Sequence, residues 1–453
     1  MQRSDCFGQD TTTTSLRGLA SWNAAQMAFL AHGAATPAKL AEALEADPDL
    51  AIAHATKGLF LLLLGRSELL CTARAAHASA VVAADKRSIS QRENTFLKAL
   101  SHWLAGRPSH AVRALDDCLI AHPDDALAMK LSHAIRFILG DADGMRRSLE
   151  TVMPSYADDH PALGYVYGCY AFALEETGDY DAAKKAGSSA LERSPDDAWG
   201  LHAVAHVYDM TGKSRDGLNW LSGREAAWSH CNNFRYHVWW HKALMHLDQG
   251  EIDTVFDLYD SSIRGDRTDD YRDISNATSL LMRLELEGIS VGERWQELAE
   301  LSETRTGDGS LLFADLHYLL ALIGDKREMA TARMVARIAA SGARGQTEAD
   351  LRMASPGIAA SEGLEAFSEG DFSRAFAGLG RARISLQSMG GSHAQRDVFE
   401  RITIDAGIRA GCFGETLAML DDRTRQRAGC DDRFAETRRA LIKEGQSLLI
   451  AAE

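Results

Sequence analysis

The chain has few prolines and no excess of positive charge. Only eight of its 453 residues are proline, so helices can run with little interruption. The formal net charge of -15 leaves no basic stripe that would displace counterions from phosphates, and it disfavours docking on anionic membranes. The sequence therefore predicts neither a nucleic-acid partner nor a membrane partner.

Cysteines and long apolar runs are also scarce. The seven cysteines are scattered, and no two are spaced as Cys-x-x-Cys, so neither a disulfide framework nor a thiolate zinc site is indicated. The apolar run at residues 59–64 is too short to cross a bilayer. Residues 1–15 are polar and threonine-rich, without the apolar stretch of a signal peptide. We therefore expect a cytoplasmic protein.

Glycines that suit helical turns recur along the chain at intervals of 34 to 41 residues. They are Gly65, Gly106, Gly140, Gly178, Gly212, Gly250, Gly288 and Gly324. Tetratricopeptide units repeat at about 34 residues, and each is a helix, a turn and a second helix. Strand-like alternation does not occur. We predict an all-α, tetratricopeptide-like superhelix, a solenoid of antiparallel helix pairs that can curl around an internal cavity.

The domain organisation follows from the absence of any Gly/Ser-rich or Pro-rich linker. We predict a polar N-terminal segment at residues 1–15 and a single continuous helical-repeat domain at residues 16–453. The clearest hairpin spans residues 162–196, where the first helix ends at Gly178. The most irregular connection is expected at residues 342–357.

Two matching histidine signatures stand out from this repeat pattern. His202 and His206 form one pair at i and i+4, and His237 and His241 form the next. Histidines at this spacing share one face of a helix, and Asp209 falls on the first stripe. Because neighbouring helices pack about 8–10 Å apart, we expect the two pairs to converge.

Histidine with carboxylate is the donor set of zinc and of non-haem iron or manganese. The sequence thus indicates a divalent metal site built from His202, His206, Asp209, His237 and His241, with the four histidines also as catalytic candidates. The signature lacks the glutamate of His-Glu-x-x-His, so it does not indicate a metalloprotease. Two alternatives stay open: a metal-free polar site, or buried histidines that bond to neighbouring groups.

Other polar residues interrupt apolar helical patterns and are candidates for substrate binding. Arg396 is expected to clamp an anion with Asp397 orienting it, while Ser392 caps their helix. Each alone also fits an ordinary core or surface role. The candidates are His54, His133, Glu176, Trp239, Asp315, His317, Arg396 and Asp397.

Several blocks resemble the tetratricopeptide repeat protein 38 family in a bacterial form. They are residues 197–206, the His237-x-x-Trp-His241 helix, residues 283–295, residues 313–317 and residues 390–399. The resemblance extends from about residue 15 to residue 450 and departs at His393, where animal members are expected to have asparagine, and at Val238-Trp239. It implies the fold and the residue pattern but no reaction.

Two functions remain for such a chain. The first is a small-molecule site on the concave face, hydrolase-like and acid–base or metal-assisted, since histidine titrates near neutrality. The second is a non-catalytic scaffold that binds a peptide or partner protein in its groove. A peptide groove needs no internal histidine cluster, which favours the first. The oligomeric state is not indicated by the sequence.

Overall fold

A computed structural model describes residues 2–452, and the chain is all-α in this range apart from one short hairpin. The predicted fold class is confirmed: consecutive helices pack against each other as adjacent pairs. Contacts divide the chain into two compact units. Unit 1 is Met1–Val204 with Gly223–Arg235, and unit 2 is Ala205–Ser222 with Tyr236–Glu453.

Unit 1 contains ten complete helices and the first half of an eleventh. They are α1 (Leu16–Leu30), α2 (Thr36–Ala46), α3 (Ala51–Leu63), α4 (Leu70–Lys86), α5 (Gln91–Leu104), α6 (Pro108–Ala121), α7 (Ala126–Leu139), α8 (Ala142–Val152), α9 (Leu163–Glu176), α10 (Tyr180–Arg193) and α11 (Ala198–Met210).

Unit 2 takes the second half of α11 and the helices that follow, with α13 beginning in unit 1. They are α12 (Ser214–Leu221), α13 (Phe234–Asp248), α14 (Ile252–Leu258), α15 (Tyr271–Leu286), α16 (Arg294–Glu303), α17 (Leu312–Gly324), α18 (Glu328–Arg344), α19 (Glu348–Arg352), α20 (Ile358–Ser368), α21 (Phe372–Arg383), α22 (His393–Arg409), α23 (Phe413–Gln426) and α24 (Arg433–Ala452).

The N-terminal segment differs from the expectation of a structure without strands. Strand β1 (Gln2–Ser4) pairs antiparallel with β2 (Asp10–Thr12). The carboxylate of Asp5 accepts hydrogen bonds from the backbone N–H groups of Phe7 and Gln9, which closes the turn between the strands. A short polar segment can form a turn through such side-chain hydrogen bonds. The repeat pattern of the sequence therefore gives no signal for this hairpin.

The turn glycines behave as predicted at seven of eight positions, where each adopts a positive φ at the end of a helix. Gly324 is the exception, since it lies inside α17 and the left-handed residue of that turn is Lys326, with φ 56°. A Cβ at Gly324 would collide with the indole of Trp295. This glycine therefore permits close packing between α16 and α17 instead of forming the turn.

The irregular connection predicted at residues 342–357 is present. Helix α18 ends at Arg344, and a single-turn helix, α19, continues into a π-helical turn at Met353–Gly357. Further short helical turns occur at Ser67–Leu69, Met153–Ser155, Glu225–Ala227, Tyr259–Ile263 and Leu386–Met389. Within residues 2–452, every helix is too short or too polar to cross a membrane.

Candidate functional site

Three of the four predicted histidines come together inside unit 2. His206 lies on α11, and His237 and His241 lie one turn apart on α13. Their side chains are buried, and one ring nitrogen of each lies within 4.8 Å of the others. The ring centres of His206 and His241 are 4.1 Å apart. The i, i+4 spacing on α13 places both of its imidazoles on the face that meets α11.

Hydrogen bonds fix the orientation of the α13 imidazoles. The amide oxygen of Asn276 on α15 accepts a hydrogen bond from Nδ1 of His237 at 3.0 Å. The Nε2 atom of His237 therefore carries the lone pair, and it accepts from Nε2 of His241 at 3.1 Å. A chain of bonds thus runs from α15 to the centre of the cluster.

Burial keeps His237 neutral. It lowers the pKa of His237 to about 3; the hydrogen bond to Asn276 opposes this shift and the nearby His206 adds to it. An imidazole with so low a pKa is uncharged at neutral pH, and neutral imidazole is the form that ligates metals. The indole of Trp240 stacks on His237 with ring centres 5.2 Å apart, which closes one side of the cluster.

His202 lies one turn before His206 on α11, and its ring belongs to the aromatic interior of unit 1. Its Nδ1 atom donates to the carbonyl oxygen of Trp199 at 2.5 Å. The ring stacks on Phe172 and meets the edge of Phe234, with ring centres 5.4 and 4.9 Å away. Within unit 1, His202 is therefore packed among aromatic rings.

The other candidates of unit 1 lie on three different helices. His54 is half-buried on α3, with Nε2 2.9 Å from the carbonyl oxygen of Pro48. His133 is buried on α7 edge-on to Trp199, and neither of its ring nitrogens has a hydrogen-bond partner among the described residues. Glu176 is buried at the end of α9.

Asp209 and Trp239 of unit 2 lie apart from the three histidines. The carboxylate of Asp209 accepts from the guanidinium of Arg427 at 3.1 Å. Trp239 is half-buried, and Nζ of Lys242 lies 5.0 Å from its ring centre. The carboxylate of Asp209 is therefore held by Arg427, the residue that follows α23.

Asp315 and His317 on α17 are both fully buried. Asp315 pairs with Arg337, with N–O distances of 2.7 and 3.0 Å, while burial raises its pKa to about 6. His317 donates from Nδ1 to the carbonyl oxygen of Phe313 at 2.8 Å, and burial lowers its pKa to about 4. The Nε2 atom of His317 has no hydrogen-bond partner in the described part of the chain.

Arg396 and Asp397 lie on α22 but do not bond each other. The guanidinium of Arg396 donates to the carbonyl oxygens of Gly390 and Gly391. Asp397 instead accepts from Arg401 at 2.6 Å and from Arg423 at 2.7 Å. The predicted cap is confirmed, because the hydroxyl of Ser392 accepts from the backbone N–H of Gln395 at 3.3 Å.

Sequence reasoning missed two residues that the geometry makes important. Asn276 orients His237, and Arg283 lies buried two turns further along the same face of α15. This helix mixes polar and apolar residues and is buried along most of its length. Its composition therefore does not single out these two residues, and their partners are far away in sequence.

No protein-family model matches the chain. Solved structures with helical repeats are similar only at low levels. A human IFIT1 dimer with PPP-AAAA is 13% identical with a TM-score of 0.40, covering 89% of this chain and 95% of that one. Yeast Tom70 is 12% identical with a TM-score of 0.36, covering 95% and 88%. The P58(IPK) TPR domain is 13% identical with a TM-score of 0.21, covering 88% and 99%.

These scores are too low to define the class of protein, which follows instead from the helices of this chain. Paired helices joined through left-handed glycines at intervals of 34 to 41 residues make it a helical-repeat protein of tetratricopeptide type. The closer resemblance to the tetratricopeptide repeat protein 38 family stays a prediction.

Proposed function

We propose that the protein is a helical-repeat scaffold that binds a divalent transition-metal ion through His206, His237 and His241. The observation that carries the proposal is the 3.1 Å separation between Nε2 of His237 and Nε2 of His241. Two nitrogens that bind one tetrahedral zinc at 2.0–2.1 Å lie about 3.3 Å apart. The spacing of these two nitrogens is therefore close to the nitrogen–nitrogen distance in a tetrahedral zinc site. The proton that they share lies where the metal would bind.

The hydrogen bond from His237 to Asn276 supports the same proposal. Metal-binding histidines usually donate their second ring N–H to an oxygen, which fixes the tautomer and raises the basicity of the ligating nitrogen. Nδ1 of His237 donates to the amide oxygen of Asn276 in this way. A purely structural imidazole needs a partner as well, but it does not need its remaining lone pair aimed at two other imidazoles.

The donor set favours zinc over iron or manganese. Three imidazole nitrogens suit zinc, cobalt, nickel and copper, whereas manganese prefers oxygen donors and non-haem iron commonly adds a carboxylate. Within unit 2, the carboxylate that the sequence predicts as a metal ligand, that of Asp209, accepts from Arg427. His202 as a further ligand, and the hydrolase-like reaction, stay predictions from sequence. Zinc held by three histidines with water in the fourth position is the arrangement of hydrolytic sites, so hydrolysis is the reaction class to assay first.

The test is calorimetric titration of chelator-treated protein with Zn²⁺, together with the visible spectrum of the Co²⁺ form. We expect one ion per chain and the intense absorption of tetrahedral cobalt. His206→Ala and His241→Ala should weaken binding at least 100-fold while their melting curves stay close to the parent. The double variant His102→Ala/His110→Ala is the matched control, because those two rings lie 5.5 Å apart elsewhere, in unit 1.

Two outcomes would contradict the proposal. One is a parent protein that binds no zinc at micromolar concentration; the other is a pair of variants that bind like the parent. In either case the histidines are structural. The second candidate function, binding of a peptide or partner protein by the scaffold without metal, would then stand alone. It is favoured by the helical-hairpin architecture itself, which builds extended binding surfaces in repeat proteins.

A further inference from the structure

A cavity of about 380 Å³ lies within unit 2, apart from the three histidines. Its walls come from the C-terminal ends of α11 and α13, from α15 and from α22, α23 and the start of α24. The volume is within the range of small-molecule sites, which is about 300–1,000 Å³. The cavity is independent of the proposed metal site, because none of the three histidines lines it.

Arginine and acidic residues are equally numerous in the polar part of the lining. Seven arginines and seven acidic residues line the cavity, and lysine is absent from the lining. Seven guanidinium groups carry roughly 35 N–H donors, whereas seven carboxylates offer about 28 lone-pair positions. Backbone carbonyl oxygens take some of these donors, as those of Ala394 and Asp209 do from Arg283 and Arg427, so the capacity of the lining to bind an anion depends on which donors remain.

The central carboxylates are already engaged by arginines. Asp397 accepts from Arg401 and Arg423, and Asp432 accepts from the same two arginines at 3.0 and 2.6 Å. The nearby guanidinium groups hold the pKa values of both carboxyls well below the usual range, although burial alone would raise them. These two carboxylates are therefore shared among several arginines of the lining, and their contacts with Arg283 and Arg427 are long, at 3.7 and 3.9 Å.

Two buried arginines keep unused capacity. Arg283 is 1% exposed; it donates to Ser279 and to the carbonyl oxygen of Ala394, but its nearest carboxylate, that of Asp397, lies 3.7 Å away. Burial lowers the pKa of Arg283 to about 9, which indicates a cation that is poorly compensated. Arg427 is 5% exposed; its Nη2 donates to the carboxylate and the carbonyl oxygen of Asp209, but its Nε–H has no hydrogen-bond partner among the described residues. An unpaired buried donor is costly, and a bound anion would remove the cost.

Apart from Gln387, His393 and Gln426, the rest of the lining is apolar. Leu244 and Leu247 on α13, Met210 at the end of α11 and Phe434 on α24 contribute carbon-rich surface. At the edge of the cavity the side chain of Ile384 is 88% exposed, so the apolar wall continues to solvent. A ligand that fits both surfaces has one anionic head and an apolar body.

We propose that this cavity binds an amphiphilic small-molecule anion, with a carboxylate or phosphate head toward Arg283 and Arg427 and an aliphatic body along Leu244 and Leu247. Planar guanidinium groups recognise both kinds of head through paired N–H donors. The apolar body adds binding free energy in proportion to the surface that it buries.

The first experiment uses the parent protein and four probes of matched length: octanoate, octyl phosphate, octanol and octylamine, with inorganic phosphate as a head alone. Titration calorimetry at low ionic strength should give one site for octanoate, octyl phosphate or both, which identifies the head. We expect octanol, octylamine and inorganic phosphate to bind at least 10-fold more weakly. Equal binding of octanol, or no binding of either anion, would overturn the proposal.

The second experiment uses variants. Arg427→Met should weaken binding of the preferred anion at least 10-fold, and Arg433→Gln, at a half-exposed position of the lining, should weaken it less. Arg294→Gln is the matched control, since this arginine pairs with Asp260 outside the cavity lining. His241→Ala should leave anion binding unchanged, so failure of the metal proposal and failure of this one are distinguishable. If Arg427→Met does not fold, the probe series on the parent still decides.

Discussion

Nδ1 of His237 on α13 donates to the amide oxygen of Asn276 on α15 at 3.0 Å, and both residues are buried. This single bond decides which nitrogen of His237 faces the neighbouring histidines. Because the amide oxygen only accepts, the lone pair of His237 must be on Nε2, toward His241. The bond therefore links the repeat architecture, which sets the spacing of α13 and α15, to the chemistry of the candidate metal site.

The first prediction concerns this bond. Asn276→Ala should weaken zinc binding about 10-fold to 100-fold, the usual effect of removing a partner that orients a ligand. Asn276→Asp should restore or exceed the parental affinity, because a carboxylate accepts the same hydrogen bond and adds a negative charge. Asn219→Ala on the exposed face of α12 is the control. Competition titration against a chromogenic chelator measures all four proteins.

A structural role alone would give a different pattern. Asn276→Ala would then lower the melting temperature without moving the affinity for zinc, and Asn276→Asp would not recover anything. Measuring both quantities on the same preparations separates the two cases.

The second prediction concerns acid stability. Burial lowers the pKa of His237 to about 3 and that of His317 to about 4, from 6.5 in the unfolded chain. Between these values and pH 6.5 the unfolded chain binds more protons, so the free energy of unfolding rises with pH. The metal-free protein should keep this stability above pH 6.5 and lose it as pH falls toward 4, by about 1.4 kcal/mol per pH unit for each histidine.

The measurement is urea unfolding of metal-free protein at pH 7, 6, 5 and 4.5. His317→Gln should flatten the fall in unfolding free energy over this range relative to the parent. His77→Gln, at a half-buried position of α4, should reproduce the parental slope. A parental slope in His317→Gln would mean that the acid limb comes from other groups.

How far the sequence predicts the fold is clear from the glycines. The repeated spacing of Gly140, Gly178, Gly212 and Gly250 predicts that they are turn residues. In the structure each of them ends a helix with a positive φ. Gly324 fits the same spacing, but there the missing Cβ makes room for the indole of Trp295. Spacing alone cannot separate a turn from a close contact, since both require glycine.

The candidate site shows the same division. Helical spacing predicts that His237 and His241 share one face, and the repeated signature predicts that His206 lies near them. In the structure His206 does lie beside these two residues. Asn276 and Arg283 were not identified, because their roles depend on partners 39 and 111 residues away, His237 and Ala394. Contacts of that range are set by the packing of hairpins and have no local pattern in the chain.

The third prediction compares two identical substitutions of helical glycines. A Cβ at Gly200 on α11 would lie 3.0 Å from Cα of Gly168 on α9 and equally close to Cβ of Ala190 on α10. Gly200→Ala should therefore destabilise the protein by about 1–3 kcal/mol, the usual cost of overpacking. Gly380→Ala on α21 meets no atom within 4 Å and should stabilise by up to about 1 kcal/mol, because alanine favours helix. Chemical denaturation reports both signs.

The last prediction concerns the arginine network in unit 2. Asp432 is 5% exposed and accepts from Arg401 at 3.0 Å and from Arg423 at 2.6 Å. Removing its charge leaves buried cations uncompensated, so Asp432→Asn should destabilise the protein by about 3–5 kcal/mol. Asp260→Asn is the matched control: its pair with Arg294 is solvent-exposed, and its loss should cost at most about 1 kcal/mol. Because the same network lines the cavity, added octanoate should recover part of the stability of Asp432→Asn. Equal costs for the two substitutions in thermal and chemical denaturation would show that the network contributes no more than surface pairs.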